Sequence, residues 1–82
     1  MIKIKMFFFA GARELVGQGC LELEIPLSSN IAELKKILIT KHPKLESLAN
    51  NAAFAVNEIF VTQDHIILAE DSVAFLPPFS GG

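Results

Sequence analysis

The residues best suited to chemistry are the last six, Pro77-Pro78-Phe79-Ser80-Gly81-Gly82. Two successive glycines carry no Cβ, so this end can be threaded into a narrow channel that any bulkier residue would block. The prolines ahead of them hold the backbone extended as it leaves an apolar stretch, while the glycines stay free to adapt to a receiving site. The group such a tail presents is the carboxylate of Gly82. An unhindered glycine carboxylate is what a nucleotide-activating enzyme requires in order to adenylate a protein and then replace the adenylate with sulfur, an amine or a thiol. A merely disordered end is the plain alternative, but the glycines follow without a break from a hydrophobic strand and a Pro-Pro pair.

The rest of the chain offers little reactive chemistry. Cys20 is the single cysteine, so no internal disulfide forms, and it has no partner at metal-ligand spacing; both features suit a reducing, cytoplasmic setting. Within a strand-like run it reads as a small core residue rather than a nucleophile. His42, beside a helix C-terminus, reads as a surface residue favoured by the helix dipole, and His65 has no ligand partner nearby. Arg13 and Glu14 read as ordinary surface charges. No metal site and no bound cofactor are expected. Seven basic and nine acidic residues, net charge −2, lie along the chain without a polybasic stripe. That disfavours nucleic-acid binding. No run approaches the ~20 apolar residues that span a membrane, and the apolar run at 6–10 is too short for a signal peptide and belongs to the best strand in the chain.

Positioning the tail requires one small domain. At 82 residues the chain buries only about 60% of its unfolded surface, yet 51% of it is hydrophobic, with seven Phe and no Trp or Tyr. Some apolar surface is therefore expected to remain available for association. Residues 2–9 alternate as a strand, with Ile2, Ile4, Met6 and Phe8 on the core face and Phe7 and Phe9 pointing away from it. Ala10–Val16 reads as a short helix closed by Gly17, and Cys20–Ile25 as a second strand that leaves Glu22 and Glu24 outward. Asn30 and Glu33 have capping-box spacing, which starts a helix over Ile31–Lys41. Ile31, Leu34, Ile37 and Leu38 face the sheet, Ile39 falls off that face, and His42-Pro43 ends the helix. Residues 53–56 and 59–62 form a hairpin around Asn57-Glu58. Ile66, Ile67 and Leu68 are expected to tuck beneath a loop, residues 70–72 to turn, and 73–76 to form the last strand.

Hairpin, crossing helix and further strands imply an α+β, ubiquitin-like β-grasp fold: a mixed sheet of four to five strands, first and last adjacent, with one main helix packed across one face. The expected organisation is a domain over residues 1–76 and a flexible tail over 77–82.

Residues 8–17 (FFAGARELVG), 55–57 (AVN), 64–65 (DH) and above all 73–82 (VAFLPPFSGG) resemble the small, sulfur-carrying subunit of molybdopterin synthase over nearly the whole chain. Two departures stand out. The turn before the last strand usually contains Gly in that family and reads Ala69-Glu70-Asp71-Ser72 here, and bulky Phe79 stands where small or aliphatic residues are frequent. The resemblance implies that an E1-like adenylyltransferase uses ATP to activate Gly82, and that a sulfur donor converts the acyl-adenylate to a thiocarboxylate. The tail, with Gly81 and Gly82 at its tip, then enters the large synthase subunit and gives sulfur to a cyclic pyranopterin. It further implies a heterotetramer of two small and two large subunits, catalytic side chains on the large subunit, and a contact surface of Phe9, Phe60, Leu76, Pro77, Pro78, Phe79 and Ser80. The alternatives are a carrier for thiamine or tRNA thiolation, a ubiquitin-like modifier joined to lysines through Gly82, and a plain interaction module.

Overall fold

The structure, a computed structural model, describes residues 1–77; Pro78, Phe79, Ser80, Gly81 and Gly82, on which most of the expected tail falls, lie outside the described residues. Strand β1 (Ile2–Phe8) obeys the predicted alternation: Ile4, Met6 and Phe8 are buried, and Lys3 and Lys5 are exposed. It pairs antiparallel with β2 (Cys20–Ile25), from Ile2 opposite Ile25 to Phe7 opposite Cys20. Helix α1 (Ala10–Val16) joins them and stops at Gly17, whose φ of 90° lets its N–H donate to the Arg13 carbonyl at 2.9 Å. Glycine takes that left-handed cap without a Cβ clash.

Helix α2 (Ile31–Lys41) opens with the expected capping box. Asn30 Oδ1 accepts the Glu33 N–H at 2.9 Å, and Glu33 Oε1 accepts the Asn30 N–H at 3.0 Å. Ile31, Leu34 and Leu38 are buried. Ile37 is half-buried, and so is Ile39, which packs against the core although the helical wheel leaves it off the face; the stripe a helix buries on a sheet is wide enough to take in its flank. His42 ends the helix by donating its N–H to the Leu38 carbonyl at 2.8 Å. Its ring meets Phe8 edge-on at 6.5 Å, so it is a half-buried neighbour of the core rather than a surface residue. A 3-10 turn (Pro43–Leu45) and a short helix α3 (Glu46–Ala49) follow and bury Leu45 and Ala49.

Strands β3 (Ala53–Val56), β4 (Ile59–Val61) and β5 (Ser72–Leu76) complete a five-stranded sheet of order β2-β1-β5-β3-β4. The first and last strands lie side by side in parallel, and the other pairs are antiparallel. A parallel neighbour cannot be reached by a hairpin, so the crossover carrying α2 is a topological necessity. Phe75 on the central strand stacks against Phe54 edge-on at 5.3 Å and lies 6.1 Å from Phe8, and α2 covers this face.

Two further expectations are corrected. Cys20 is exposed, not core: it shares the parity of Glu22 and Glu24 on an edge strand, and that face of the sheet has no helix over it. Of residues 66–68 only Ile67 is buried, drawn in by its N–H bond to the Ser29 carbonyl (2.9 Å), while Ile66 and Leu68 are exposed. The Leu68 N–H is instead held by Asp71 Oδ2 at 2.8 Å in the turn ahead of β5.

That turn also explains one departure noted in the sequence. Glu70 sits at φ 70° while its N–H bonds to the Lys3 carbonyl at 2.8 Å. A left-handed backbone costs a residue with a Cβ about 1–2 kcal/mol, partly offset by the lower unfolded-state entropy of non-glycine residues. Glu70→Gly is therefore expected to stabilise the domain by about 0.5–1 kcal/mol, a rise of roughly 3–6 °C in a thermal melt.

Candidate functional site

The face of the sheet opposite α2 is the candidate site. Directly paired residues in a sheet point to the same side, and the register builds one continuous row across all five strands: Cys20 opposite Phe7, Phe7 opposite Ala74, Ala74 opposite Ala55, Ala55 opposite Phe60. Aromatic rings thus flank a floor of two alanines. Phe7, Phe9, Ala55, Glu58, Ser72 and Ala74 line a shallow groove of about 280 Å³ there. Ala55 is buried even though it lies on the open face, its short side chain set between Phe60 and Ala74 in the row. Phe60, on the outer strand, is 71% exposed, and Phe9, just past β1, is 48% exposed. Leu76, opposite Ala53, and Pro77 are half-buried at the same end of β5, where the chain runs on toward Gly82.

The register therefore brings Phe60 and Leu76 to the face that Phe9 also lines, with Phe60 in the row of Ala74, two residues back from Leu76, and Pro77 next in the chain after Leu76. The remaining expected contact residues, Pro78, Phe79 and Ser80, and the expected reactive end, Gly81 and Gly82, lie outside the described residues. Phe7, Ala55, Glu58, Ser72 and Ala74 are additions. Alternation alone turns Phe7 outward, but the opposition of Ala74 to Ala55 is a non-local pairing with no local signature.

A polar clasp fixes the two halves of this face. Asn57 Nδ2 donates to Asp71 Oδ1 at 3.0 Å, the Ser72 N–H donates to Asn57 Oδ1 at 3.0 Å, and the Asn57 N–H donates to the Ser72 carbonyl at 2.8 Å. Asn57 adopts φ 50°, a left-handed conformation that asparagine tolerates well. The β3–β4 turn is thereby tied to the start of β5, so the strand carrying Phe60 keeps its position relative to the strand that leads into the tail.

Among the described residues, a five-stranded mixed sheet crossed on one side by one long helix and open on the other defines a ubiquitin-like β-grasp protein. The chain belongs to the ThiS family, whose model matches residues 6–82. Among its relatives, the molybdopterin synthase sulfur carrier subunit of Arabidopsis thaliana is 37% identical, over 99% of this chain and 84% of its own length. A Pyrococcus furiosus structure described as molybdopterin converting factor, subunit 1 superposes with a TM-score of 0.87 at 26% identity, covering 95% of this chain and 99% of that one. The complex of subunits 1 and 2 of molybdopterin-converting factor from Helicobacter pylori contains a similar fold, with a TM-score of 0.71 at 20% identity, covering 99% of this chain and 100% of that one.

Proposed function

We propose that this chain is a sulfur carrier for molybdopterin synthesis. Its Gly82 carboxylate is adenylated at the expense of ATP by an E1-like enzyme and converted to a thiocarboxylate. The thiocarboxylate is then delivered to a cyclic pyranopterin held by a large synthase subunit, which supplies the catalytic side chains. The observation that carries this reading is full-length similarity to sulfur carrier subunits of molybdopterin synthase, joined to an open, largely apolar face of the sheet that includes β5, the strand after which the chain continues toward Gly82.

The labour is divided within the chain. Residues 1–76 form the domain that docks, and residues 77–82 form the arm that reaches. Extended, six residues span about 20 Å, enough to carry sulfur from a protein surface into a buried pocket. The open face seals against the large subunit around the departing arm, and sealing keeps water from hydrolysing the activated carboxyl. The complex of two subunits in the Helicobacter pylori relative supports a large-subunit partner; a heterotetramer of two small and two large chains is the assembly we propose.

The test is the state of Gly82 in protein purified from its own cells. A carrier gains about 16 Da as sulfur replaces one carboxylate oxygen. A modifier would instead be found joined to target lysines, and because no Lys or Arg follows Lys44, trypsin would leave residues 45–82 on each target. We expect the thiocarboxylate and no such branched peptides. Abundant Gly82-linked lysines without any thiocarboxylate would overturn the carrier assignment.

A further inference from the structure

The groove on the open face contains one ionisable side chain among its lining residues, Glu58. The others, Phe7, Phe9, Ala55, Ser72 and Ala74, are apolar or neutral. Glu58 also occupies a costly position. It follows Asn57 in the two-residue β3–β4 turn with φ 71°, the place where such turns ordinarily carry glycine. Glycine there would relieve the left-handed strain and leave the groove uncharged. A non-glycine residue held in a left-handed backbone conformation on a candidate contact surface points to a role for its side chain at that surface.

Resting on the docking role proposed for this face, we infer that Glu58 is a specificity-determining residue: its carboxylate pairs with a lysine or arginine of the large synthase subunit as the apolar groove closes over it. The clasp of Asn57 to Asp71 and Ser72 fixes the backbone of the turn, so Glu58 is held beside the groove and only its side-chain rotamers remain to be ordered on binding. The apolar walls lower the local dielectric once the face is covered, which strengthens a charge pair that would be weak on an open surface. A partner lacking the matching cation would have to leave this carboxylate desolvated and unpaired, which excludes it more strongly than a lost contact would.

The experiment is calorimetric titration of the full chain into the large synthase subunit from the same source, at low and high ionic strength, for wild type, Glu58→Gln, Glu58→Lys and Phe60→Ala. Glu58→Gln keeps the size and the strained turn while removing the charge. It is expected to weaken binding about five- to tenfold at low salt, with the gap narrowing at high salt. Glu58→Lys is expected to weaken it further, by repulsion. Phe60→Ala tests the docking face itself and is expected to weaken binding at both ionic strengths alike. If Phe60→Ala weakens binding while Glu58→Gln and Glu58→Lys bind as wild type does, the face docks but Glu58 does not select, and this inference is wrong. If Phe60→Ala also binds unchanged, the docking reading fails and the inference fails with it. Melts of the variants guard against misfolding, and Glu58→Gly is expected to raise the melting temperature by a few degrees while binding as weakly as Glu58→Gln.

Discussion

Deleting Gly82, or adding a residue after it, is expected to abolish sulfur transfer while leaving the domain as stable as before. The proposed chemistry needs a free carboxylate at one position of an extended arm: without Gly82 the acyl group falls short of the activating site, and with an extra residue the reacting carbon is displaced by about 3.5 Å. Misplacement on that scale at a reacting centre costs on the order of a hundredfold or more in rate. Stability is set elsewhere. The buried cluster among the described residues runs from Ile4 to Phe75, and the aromatic contacts of Phe8, Phe54 and Phe75 lie on the helix-covered face. A reconstituted synthase assay beside a thermal melt checks both halves. Full activity of an extended chain would end the carrier reading, and a collapsed melt would mean that the last residues belong to the fold.

Replacing Phe60 by aspartate is expected to weaken binding to the large subunit by about 2–4 kcal/mol, roughly 30- to 1,000-fold in Kd. A ring that is 71% exposed in the free domain contributes little to folding, so the melt should fall by no more than the change in strand preference, about 1 kcal/mol. Phe54 is the contrasting case on the neighbouring strand. It is 5% exposed and packs edge-on against Phe75, so Phe54→Asp would bury an unpaired charge and unfold the domain. Equal binding by Phe60→Asp with an intact melt would remove this face from the interface.

Much of this fold was legible because its signals are local. The alternation of residues 2–8, the Asn30 and Glu33 box, Gly17 after a seven-residue helix and Pro43 after His42 each act within a few positions, and the observed elements begin and end beside them. Residue type alone makes Cys20 a core candidate, but its parity with Glu22 and Glu24 puts it outside. Ile66 and Leu68 failed for a different reason. An apolar triplet outside regular structure has no period to say which member turns in, and the choice fell to the Ser29 carbonyl and the Asp71 carboxylate, both distant in sequence or set by the turn.

By itself the sequence determined the strands, the main helix and its core stripe, and the outward turn of Phe7 and Phe9, since each depends on side-chain periodicity. The tertiary structure decided what lies beside what. Ala74 opposite Ala55, Phe60 completing the row from another hairpin, and Glu58 at the rim of the groove all arise from β5 lying between β1 and β3. Strand register is a long-range property, settled by which hydrophobic faces can be covered together and by the clasp of Asn57 to Asp71, and no short window of sequence contains both partners.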